Sequence, residues 1–462
     1  MKVTRRSFLK TSAVAVPFLL GGGCRMGHAT GGLTACRRPS ALSRVNLAVI
    51  GCGTMGVGNM SVFLQDPRVQ VTTVCDPVLR APFYGYQAEL TLGRGPAKEQ
   101  VDAFYKTKDC RAVADFREVI ADPSVDAVLI ATPDHWHAYQ SIAAMKAGKH
   151  VYCQKPMSLG ISEGQEMVRV AKASGVTFQV GSQQRSASEF RVAAQWVASG
   201  YLGDCRRCDI GLPGKNKGLW RHSTDRTPQR APDYFTPSGM WDLWQGPAAH
   251  WENDAYIPGI HDPMMWRFNS RTGGGQITDW GAHHFDILQW ALGMDKSGPV
   301  AIENMQSDLD RSDRVFDWPA NFSFEIVYAN GFRARVSNRF RNGLRFCGEK
   351  GDLFVTRRVL ERPDFLKKWN ERRDLKRSDV HLYRPYNGCS HEMDFINAVY
   401  TGGRTACPCE TGHRSITIAH MANICLRLGL SSLKWDPAAE CFPDNPQANR
   451  LARVPYANGW SL

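Results

Sequence analysis

The chain has 462 residues, which is long enough for two domains with separate hydrophobic cores. Hydrophobic residues make up 43% of it and charged residues 22%, a globular composition that excludes a disordered or low-complexity chain. The formal net charge is +13, but nothing resembles a nucleic-acid-binding module. No apolar run reaches the roughly 18 residues of a membrane-spanning helix.

The first thirty residues are expected to form an export signal rather than part of the fold. Residues 4–10 contain Arg5 and Arg6 followed by Ser-Phe-Leu, which is typical of a twin-arginine signal, and a short apolar stretch comes after them. Two processing routes stay open: cleavage after Ala29, or lipidation of Cys24 as a membrane anchor. The sequence therefore predicts a periplasmic or otherwise exported protein that leaves the cytoplasm folded, with any cofactor already bound.

Residues 44–157 alternate between apolar strands and helices, ordered along the chain as in a parallel sheet. The predicted strands are 47–50, 69–74, 126–131 and 150–153, and the predicted helices are 55–64, 99–104, 116–121 and 137–147. Asp115 is suited to cap the third of these helices. Strands separated by helices indicate an α/β domain, a Rossmann-type doubly wound parallel sheet.

The pattern changes in residues 158–462, which are expected to form a second, α+β domain. One more helix (160–174) and strand (177–180) come first, and residues 212–275 form a long segment rich in Trp, His, Arg, Pro and Gly. From Ile302 the pattern alternates: strands 322–328 and 332–338 flank Asn-Gly as a hairpin, and 351–356 is a further strand. Helices are predicted at 391–399 and 414–427. This domain should contain an open, largely antiparallel sheet.

Fourteen cysteines in a chain of this length do not form a disulfide framework. Two close pairs, Cys205 with Cys208 and Cys407 with Cys409, leave two readings open: bridges in an oxidising compartment, or half of a zinc site. A zinc site needs further ligands, and neither pair is completed by another cysteine pair or by a His-rich stretch. No metal is therefore expected.

A glycine-rich turn follows the first predicted strand and opens the first helix. Its spacing, Gly-x-Gly-x-x-Gly, lets the backbone approach a pyrophosphate at a helix N-terminus. Asp76 ends the second strand, 20 residues beyond the last glycine, where a carboxylate accepts from a ribose hydroxyl and repels a 2′-phosphate. NAD is therefore favoured over NADP, although Arg80 nearby weakens that preference. The predicted cradle comprises Gly51, Gly53, Thr54, Met55, Gly56 and Asp76.

Two later strands end in polar residues at the edge of the sheet where ligands bind. The strand 126–131 is followed by Thr132, Pro133 and His135, which are expected to contact the cofactor. For His137, helix capping and a ligand role remain open. The strand 150–153 is followed by Gln154 and Lys155, whose side chains are expected beside the nicotinamide.

Asp279 and His283 stand four residues apart in a predicted helix, on the same face as Asp286 and Trp290. A carboxylate beside an imidazole orients the ring and raises its basicity, as a general base for alcohol oxidation requires. The alternative is a capping Asp and a core His.

These motifs together resemble the glucose–fructose oxidoreductase, inositol dehydrogenase and MocA family (Gfo/Idh/MocA) over nearly the whole chain after the leader. The resemblance rests on the glycine turn, Ala-Thr-Pro at 131–133, Lys-Pro at 155–156, and three glycines followed by Asp-x-Gly-x-His-x-x-Asp. It implies hydride transfer with Lys155, Asp279 and His283 as catalytic residues, in a homodimer or homotetramer. The chain departs from the family at Gln154, where the family's usual residue is glutamate.

The resemblance extends to an exported, glycan-handling branch, through residues 181–186 and 241–247. It implies an NAD-dependent oxidoreductase acting on a sugar, cyclitol or glycoside. Two alternatives stay open: a glycosidase or lyase that oxidises its substrate transiently and recycles NAD, and a non-catalytic sugar-binding protein. For each tryptophan among the candidate substrate contacts, core packing is an equal alternative. The candidates are Gln184, Arg185, Trp241, Trp244, Trp266, Arg267 and Asp286.

Overall fold

The computed structural model describes most of the chain after the leader. The described residues are 43–82, 90–214, 240–248, 265–313, 315–367 and 390–462, together with Thr34, Cys36 and Ser40. The expected export signal, the lipidation site Cys24, and residues 215–239 and 249–264 of the aromatic-rich segment lie outside them.

The N-terminal half is built on a parallel sheet of six strands in the order β5-β2-β1-β6-β7-β8. A two-stranded ribbon, β3 with β4, lies apart from it. The doubly wound order confirms the predicted Rossmann-type fold. The strands are β1 Val45–Ile50, β2 Val69–Cys75, β3 Ala81–Pro82, β4 Thr91–Leu92, β5 Arg111–Val113, β6 Ala127–Ile130, β7 His150–Cys153 and β8 Phe178–Val180.

Five helices connect these strands, and they cover both faces of the sheet. One face packs on side chains from α1 and α2, and the other on side chains from α3, α4 and α5. Asp115 caps α3 as predicted, with its carboxylate accepting from the backbone N–H of Arg117. The helices are α1 Thr54–Leu64, α2 Arg94–Tyr105, α3 Phe116–Ala121, α4 Asp134–Lys146 and α5 Ile161–Ser174.

The second half contains a mixed, mostly antiparallel sheet of eight strands in the order β15-β14-β13-β9-β12-β11-β10-β16. Only β9 and β12 pair in parallel. This confirms the predicted open α+β domain, including the hairpin of β11 and β12. The strands are β9 Cys205–Gly211, β10 Ala301–Ser307, β11 Phe322–Val327, β12 Arg333–Ser337, β13 Gly343–Gly348, β14 Gly351–Thr356, β15 Val359–Glu361 and β16 Leu433–Lys434.

Buried side chains from α6, α9 and α12 pack on this second sheet in one continuous hydrophobic core. Helix α11 instead returns to the first sheet, where Phe395, Ile396 and Val399 join the core beside α1. The helices are α6 Ser188–Ala198, α7 Met240–Gln245, α8 Gly275–Asp279, α9 Gly281–Ala291, α10 Asp364–Lys367, α11 His391–Thr401, α12 Cys409–Leu428 and α13 Pro446–Leu451.

Three features differ from the sequence-based expectations. The first sheet extends past residue 157, because β8 pairs with β7. The segment 212–275 is not wholly irregular, since it includes α7 and a 3-10 turn at Met265–Phe268. The third is β9, a strand that was not predicted. In β9, Cys205 is half-buried and Cys208 is buried, and both pack against the same hydrophobic core. Both are free, as are Cys407 and Cys409.

None of the helices in the described part of the chain is both long and apolar enough to cross a membrane. Within the same residues, no group of three or more His, Cys, Asp or Glu side chains could hold a metal ion.

The glycine turn after β1 depends on close backbone packing that leaves no room for a side chain. A Cβ at Gly56 would lie 1.8 Å from the carbonyl oxygen of Gly51. We therefore expect Gly56→Ala to lower the free energy of unfolding by about 1–3 kcal/mol or more, measured by urea denaturation.

Gly58, in the same helix, provides the matched control because a Cβ there would meet no atom within 4 Å. Gly58→Ala should cost nothing and gain up to about 1 kcal/mol from helix propensity. Equal effects of the two substitutions would contradict this account of the turn.

Candidate active site

A cavity of about 760 Å³ opens where the carboxyl ends of the first sheet's strands meet the second half of the chain. Its lining includes the glycine turn after β1, the end of β2, and the residues that follow β6 and β7. The opposite wall comes from α7, α8, α9 and the turn between β14 and β15. Ligands of doubly wound sheets bind at this edge, next to the point where strand order reverses between β1 and β6.

The glycine turn forms one end of the cavity. Gly51 has a φ of +95°, and a Cβ on it would lie 2.6 Å from the carbonyl carbon of Ala131. Helix α1 begins directly after Gly53, and Thr54 and Met55 of its first turn line the cavity, at the end of a helix where anions bind. This cradle fits the pyrophosphate of a dinucleotide.

Asp76 lies at the end of β2, where it was predicted to meet a ribose. Its carboxylate accepts from the backbone N–H of Cys52 at 2.7 Å and from that of Val78 at 2.8 Å. These bonds hold the carboxylate against the glycine turn, and Asp76 still lines the cavity. Arg80 forms an ion pair with Glu99.

The predicted cofactor residues lie together, with two exceptions. Gly56 and His135 are not among the residues that line the cavity. The Nε2 of His135 instead lies 3.0 Å from the carbonyl oxygen of Trp244. Burial lowers the pKa of His135 to about 4. His137 does line the cavity, and its Nδ1 lies 2.6 Å from the carbonyl oxygen of Pro156. The predicted residues that line the cavity are Gly51, Gly53, Thr54, Met55, Asp76, Thr132, Pro133, Gln154 and Lys155.

A group of three charges joins the two walls. Lys155 Nζ donates to the Asp279 carboxylate at 2.5 Å and to the Asp279 backbone carbonyl at 2.9 Å. Arg267 Nε donates to the same carboxylate oxygen at 3.3 Å. Burial alone would raise the pKa of Asp279, but the charges of Lys155 and Arg267 outweigh it and hold that pKa well below its usual range.

The helix expected to carry both Asp279 and His283 is interrupted. Helix α8 ends at Asp279 and α9 begins at Gly281, with Trp280 between them. No hydrogen bond between Asp279 and the His283 ring is present among the described residues, so the expected orientation of the ring by this carboxylate is not seen. The hydrogen bonds described for the Asp279 side chain go to Lys155 and Arg267 instead.

His283 lines the cavity as a neutral base. Burial, with the charges of Lys155 and Arg357, lowers its pKa well below 6.5. Its Nδ1 is buried and has no hydrogen-bond partner among the described residues. An unprotonated ring facing a cavity can take a proton from a bound hydroxyl.

Asp134 also lines the cavity, although it was not among the predicted site residues. It is the first residue of α4 and is 3% exposed. Burial raises its pKa to about 8, aided by the charge of Asp279 and opposed by those of Arg267 and Lys155. The two carboxyl groups therefore differ at neutral pH: Asp279 is ionised and Asp134 is protonated. Its position shortly after β6, whose carboxyl end borders the cavity, is the sequence signal that could have identified it.

Four of the seven candidate substrate contacts line the cavity, namely Gln184, Trp244, Trp266 and Arg267. Both polar atoms of the Gln184 side chain are buried without a partner among the described residues, so they are available to a ligand. Arg267 lies over the ring of Trp266, 4.2 Å from its centroid. Trp241 instead stacks on Trp244 at 5.1 Å and is absent from the described lining.

Arg185 and Asp286 do not meet the cavity, which corrects their prediction as substrate contacts. Arg185 Nε donates to the Asp286 carboxylate at 2.7 Å, and its Nη2 donates to Asp295 at 2.8 Å. Their side chains are 2% and 1% exposed. The charges are satisfied inside the core, so the pair holds the 3-10 turn Gln183–Ser186 against α9 rather than binding substrate.

Comparison with known proteins covers almost all of the described chain. Residues 45–182 match the family model GFO_IDH_MocA, described as an oxidoreductase family with an NAD-binding Rossmann fold. Residues 191–462 match the corresponding C-terminal alpha/beta domain.

Two curated relatives illustrate the sequence similarity. The chain is 36% identical to 1,5-anhydro-D-fructose reductase of Ensifer adhaerens over 93 residues, 20% of this chain and 28% of that protein. It is 24% identical to 2,7-anhydro-N-acetylneuraminate hydratase of Escherichia coli over 182 residues, 39% of this chain and 42% of that protein. The chain thus matches less than half the length of these relatives.

Two solved structures share the fold. Aldose-aldose oxidoreductase from Caulobacter crescentus, complexed with glycerol, matches with a TM-score of 0.56 and 18% identity, over 85% of this chain and 99% of that one. Scyllo-inositol dehydrogenase from Lactobacillus casei, with bound NAD(H) and scyllo-inositol, matches with a TM-score of 0.54 and 16% identity, over 85% and 99%.

The buried Arg185 pair predicts a large stability effect. Arg185→Met leaves the Asp286 carboxylate buried without its counter-charge, so we expect a loss of about 3–5 kcal/mol in the free energy of unfolding. The control is Arg111→Met, which breaks the exposed pair with Asp122 and should cost about 1 kcal/mol or less. Similar losses in urea denaturation would refute the structural role of Arg185.

Proposed function

Because the chain belongs to the Gfo/Idh/MocA oxidoreductase family, we propose that it transfers a hydride between a hydroxyl-bearing carbon of a sugar or cyclitol and NAD. One observation carries the proposal. Lys155, Asp279 and His283 line the same cavity as the glycine turn, so acid–base groups and the cofactor cradle share one space.

The described residues can perform the proton chemistry of alcohol oxidation. In the proposed mechanism, neutral His283 takes the proton of the substrate hydroxyl. Lys155 donates a hydrogen bond to the same oxygen and stabilises the developing alkoxide charge. Asp279 positions Lys155 through their ion pair. When bound, the nicotinamide ring supplies the hydride acceptor for the carbon.

The carbohydrate assignment has two supports. Relatives and neighbours are named for anhydrofructose, aldose and inositol chemistry. The cavity wall also combines the ring of Trp266, the guanidinium of Arg267 and the amide of Gln184, a combination suited to a polyol that needs both stacking and hydrogen bonds.

A second candidate is a lyase or glycosidase that oxidises its substrate transiently and returns the hydride in each turnover. This candidate is supported by the similarity to a 2,7-anhydro-N-acetylneuraminate hydratase. The third reading, a non-catalytic sugar-binding protein, is disfavoured by the complete Lys155, Asp279 and His283 set.

We further propose that the chain is exported by the twin-arginine route, on the strength of Arg5 and Arg6 in its first residues. Fractionation of cells producing the full chain tests this. Recovery of the wild type outside the cytoplasm, and of an Arg5→Lys, Arg6→Lys variant inside it, supports the proposal. Cytoplasmic recovery of both would overturn it.

One experiment separates the two enzyme classes. Purified protein is incubated with NAD and a panel of sugars, cyclitols and glycosides, while NADH absorbance and free-sugar release are followed together. NADH formed in proportion to oxidised product, without cleavage, supports a dehydrogenase. Cleavage without net NADH supports the transient oxidation, and neither signal with any substrate contradicts both.

The catalytic assignment predicts that Lys155→Ala and His283→Ala lower kcat by about 100-fold or more, because each removes a group that acts on the reacting oxygen. NAD binding should survive in the His283 variant, as measured by isothermal titration. Lys172→Ala, which removes an exposed lysine paired with Glu410, is the control and should leave kcat unchanged. Near wild-type turnover in the His283 variant would refute its role as base.

The two shifted pKa values predict the pH dependence of kcat/KM. His283 must be unprotonated, and its pKa lies well below 6.5, so activity should persist as the pH falls through 6.5 and decline only below it. Asp134 ionises near pH 8 and then places a second negative charge beside Asp279, so activity should fall above that pH. Asp134→Asn should remove the alkaline decline. An unchanged alkaline limb in that variant would show that Asp134 is not its source.

A further inference from the structure

Gln154, the residue at which this chain departs from its family, belongs to a chain of hydrogen bonds that crosses the cavity floor. Gln154 Nε2 donates to Asn59 Oδ1 at 2.6 Å. Asn59 Nδ2 in turn donates to Glu392 Oε1 at 2.8 Å. All three side chains line the cavity, and none is more than 7% exposed.

The three residues come from different elements, and the packing around them is tight. Asn59 lies in α1, Gln154 follows β7, and Glu392 is in the first turn of α11. Tyr152 is fully buried and also donates to Glu392, at 3.4 Å. A Cβ at Gly181 would lie 2.8 Å from the Gln154 amide, so a glycine there makes room for it.

The donors and acceptors in this series of hydrogen bonds fix the direction in which it runs. An ionised carboxylate only accepts hydrogen bonds, so Asn59 must turn its NH₂ group toward Glu392. Its oxygen then faces Gln154, which must donate its own NH₂ group. The oxygen of Gln154 is thereby left as the acceptor on the cavity side. It accepts from the backbone N–H of Lys155 at 3.3 Å, which agrees with this orientation.

We propose that Glu392 is a positioning residue that acts through Asn59 to orient the Gln154 amide, so that its oxygen is presented to the nicotinamide end of bound NAD. A carboxylate from the second half of the chain thus sets the orientation of a cofactor contact in the first. This inference rests on the proposed function only in placing the nicotinamide beside Lys155, and NAD binding itself is measured independently.

Exchanging the amide of Gln154 and the carboxylate of Glu392 tests the direction of the hydrogen-bond series. In Gln154→Glu, carboxylates stand at both ends, and Asn59 can donate to only one of them. We expect the Kd for NAD, measured by isothermal titration, to weaken by about tenfold. Adding Glu392→Gln lets Asn59 turn round and satisfies every group, so the double variant should return to within about threefold of the wild type.

The pH dependence provides a readout that a merely structural defect would not change. In Gln154→Glu, protonation of the introduced carboxyl group restores a donor toward Asn59, so NAD should bind more tightly as the pH falls. This dependence should be absent from the double variant. The control combines Gln154→Glu with Glu163→Gln, which removes a buried carboxylate outside the cavity lining and should not restore affinity.

A second pair of variants keeps the test independent if Gln154→Glu does not fold. Asn59→Asp places an acceptor against Glu392 and should weaken NAD binding, whereas adding Glu392→Gln supplies a donor and should restore it. Rescue by Glu392→Gln in either pair supports the inference. Wild-type affinity in both single variants, or no rescue in either double variant, overturns it. Failure of the wild type to bind NAD would instead contradict the proposed function.

Discussion

The ion pair between Lys155 and Asp279 is the contact on which the site depends. Lys155 lies two residues after β7 of the first sheet, and its Nζ is 2.5 Å from the carboxylate of Asp279 at the end of α8, in the second half of the chain. Both side chains are largely buried, at 14% and 11% exposure. Separating two such charges would leave each in a poorly solvated place, so the pair fixes the two walls of the cavity against each other.

Burial and the charges of this pair together set the protonation of the neighbouring groups. Asp279 stays ionised because Lys155 and Arg267 surround it. Asp134, buried close by without a cation of its own in the described part of the chain, holds its proton up to about pH 8. His283 stays neutral because burial and the nearby positive charges oppose protonation. The cavity thus contains an anion, a neutral acid and a neutral base, a separation of roles that acid–base chemistry at neutral pH requires.

Local features of the site could be predicted from the sequence because their signals are short. The glycine spacing, the strand ends at Thr132 and Lys155, and the helix periodicity each depend on residues close together in the chain. The break at Trp280 was not predictable, since the apolar pattern continues through it. Strand β9 was missed because two arginines interrupt its apolar alternation.

Contacts between residues far apart in the chain could not be predicted from the sequence for a different reason. Arg185 is 101 residues from Asp286, and Asn59 is 333 residues from Glu392, so nothing local marks either pair. The arginine could as well have faced a substrate, and only the packing of α9 shows that its charge is already matched. The departure at Gln154 was visible in the sequence, but its consequence depends on Glu392 reaching the cavity from α11.

In the proposed reaction, a carbon-bound hydrogen of the substrate moves to the nicotinamide in this cavity. It is tested most directly with a sugar or cyclitol deuterated at its carbinol carbons, reacted in a single turnover with the NAD-loaded protein, followed by mass spectrometry of the cofactor. Deuterium is expected in the NADH formed, and none is expected when Lys155 is replaced by alanine. Reduced cofactor without deuterium, or product formed while the cofactor never acquires the label, would contradict it.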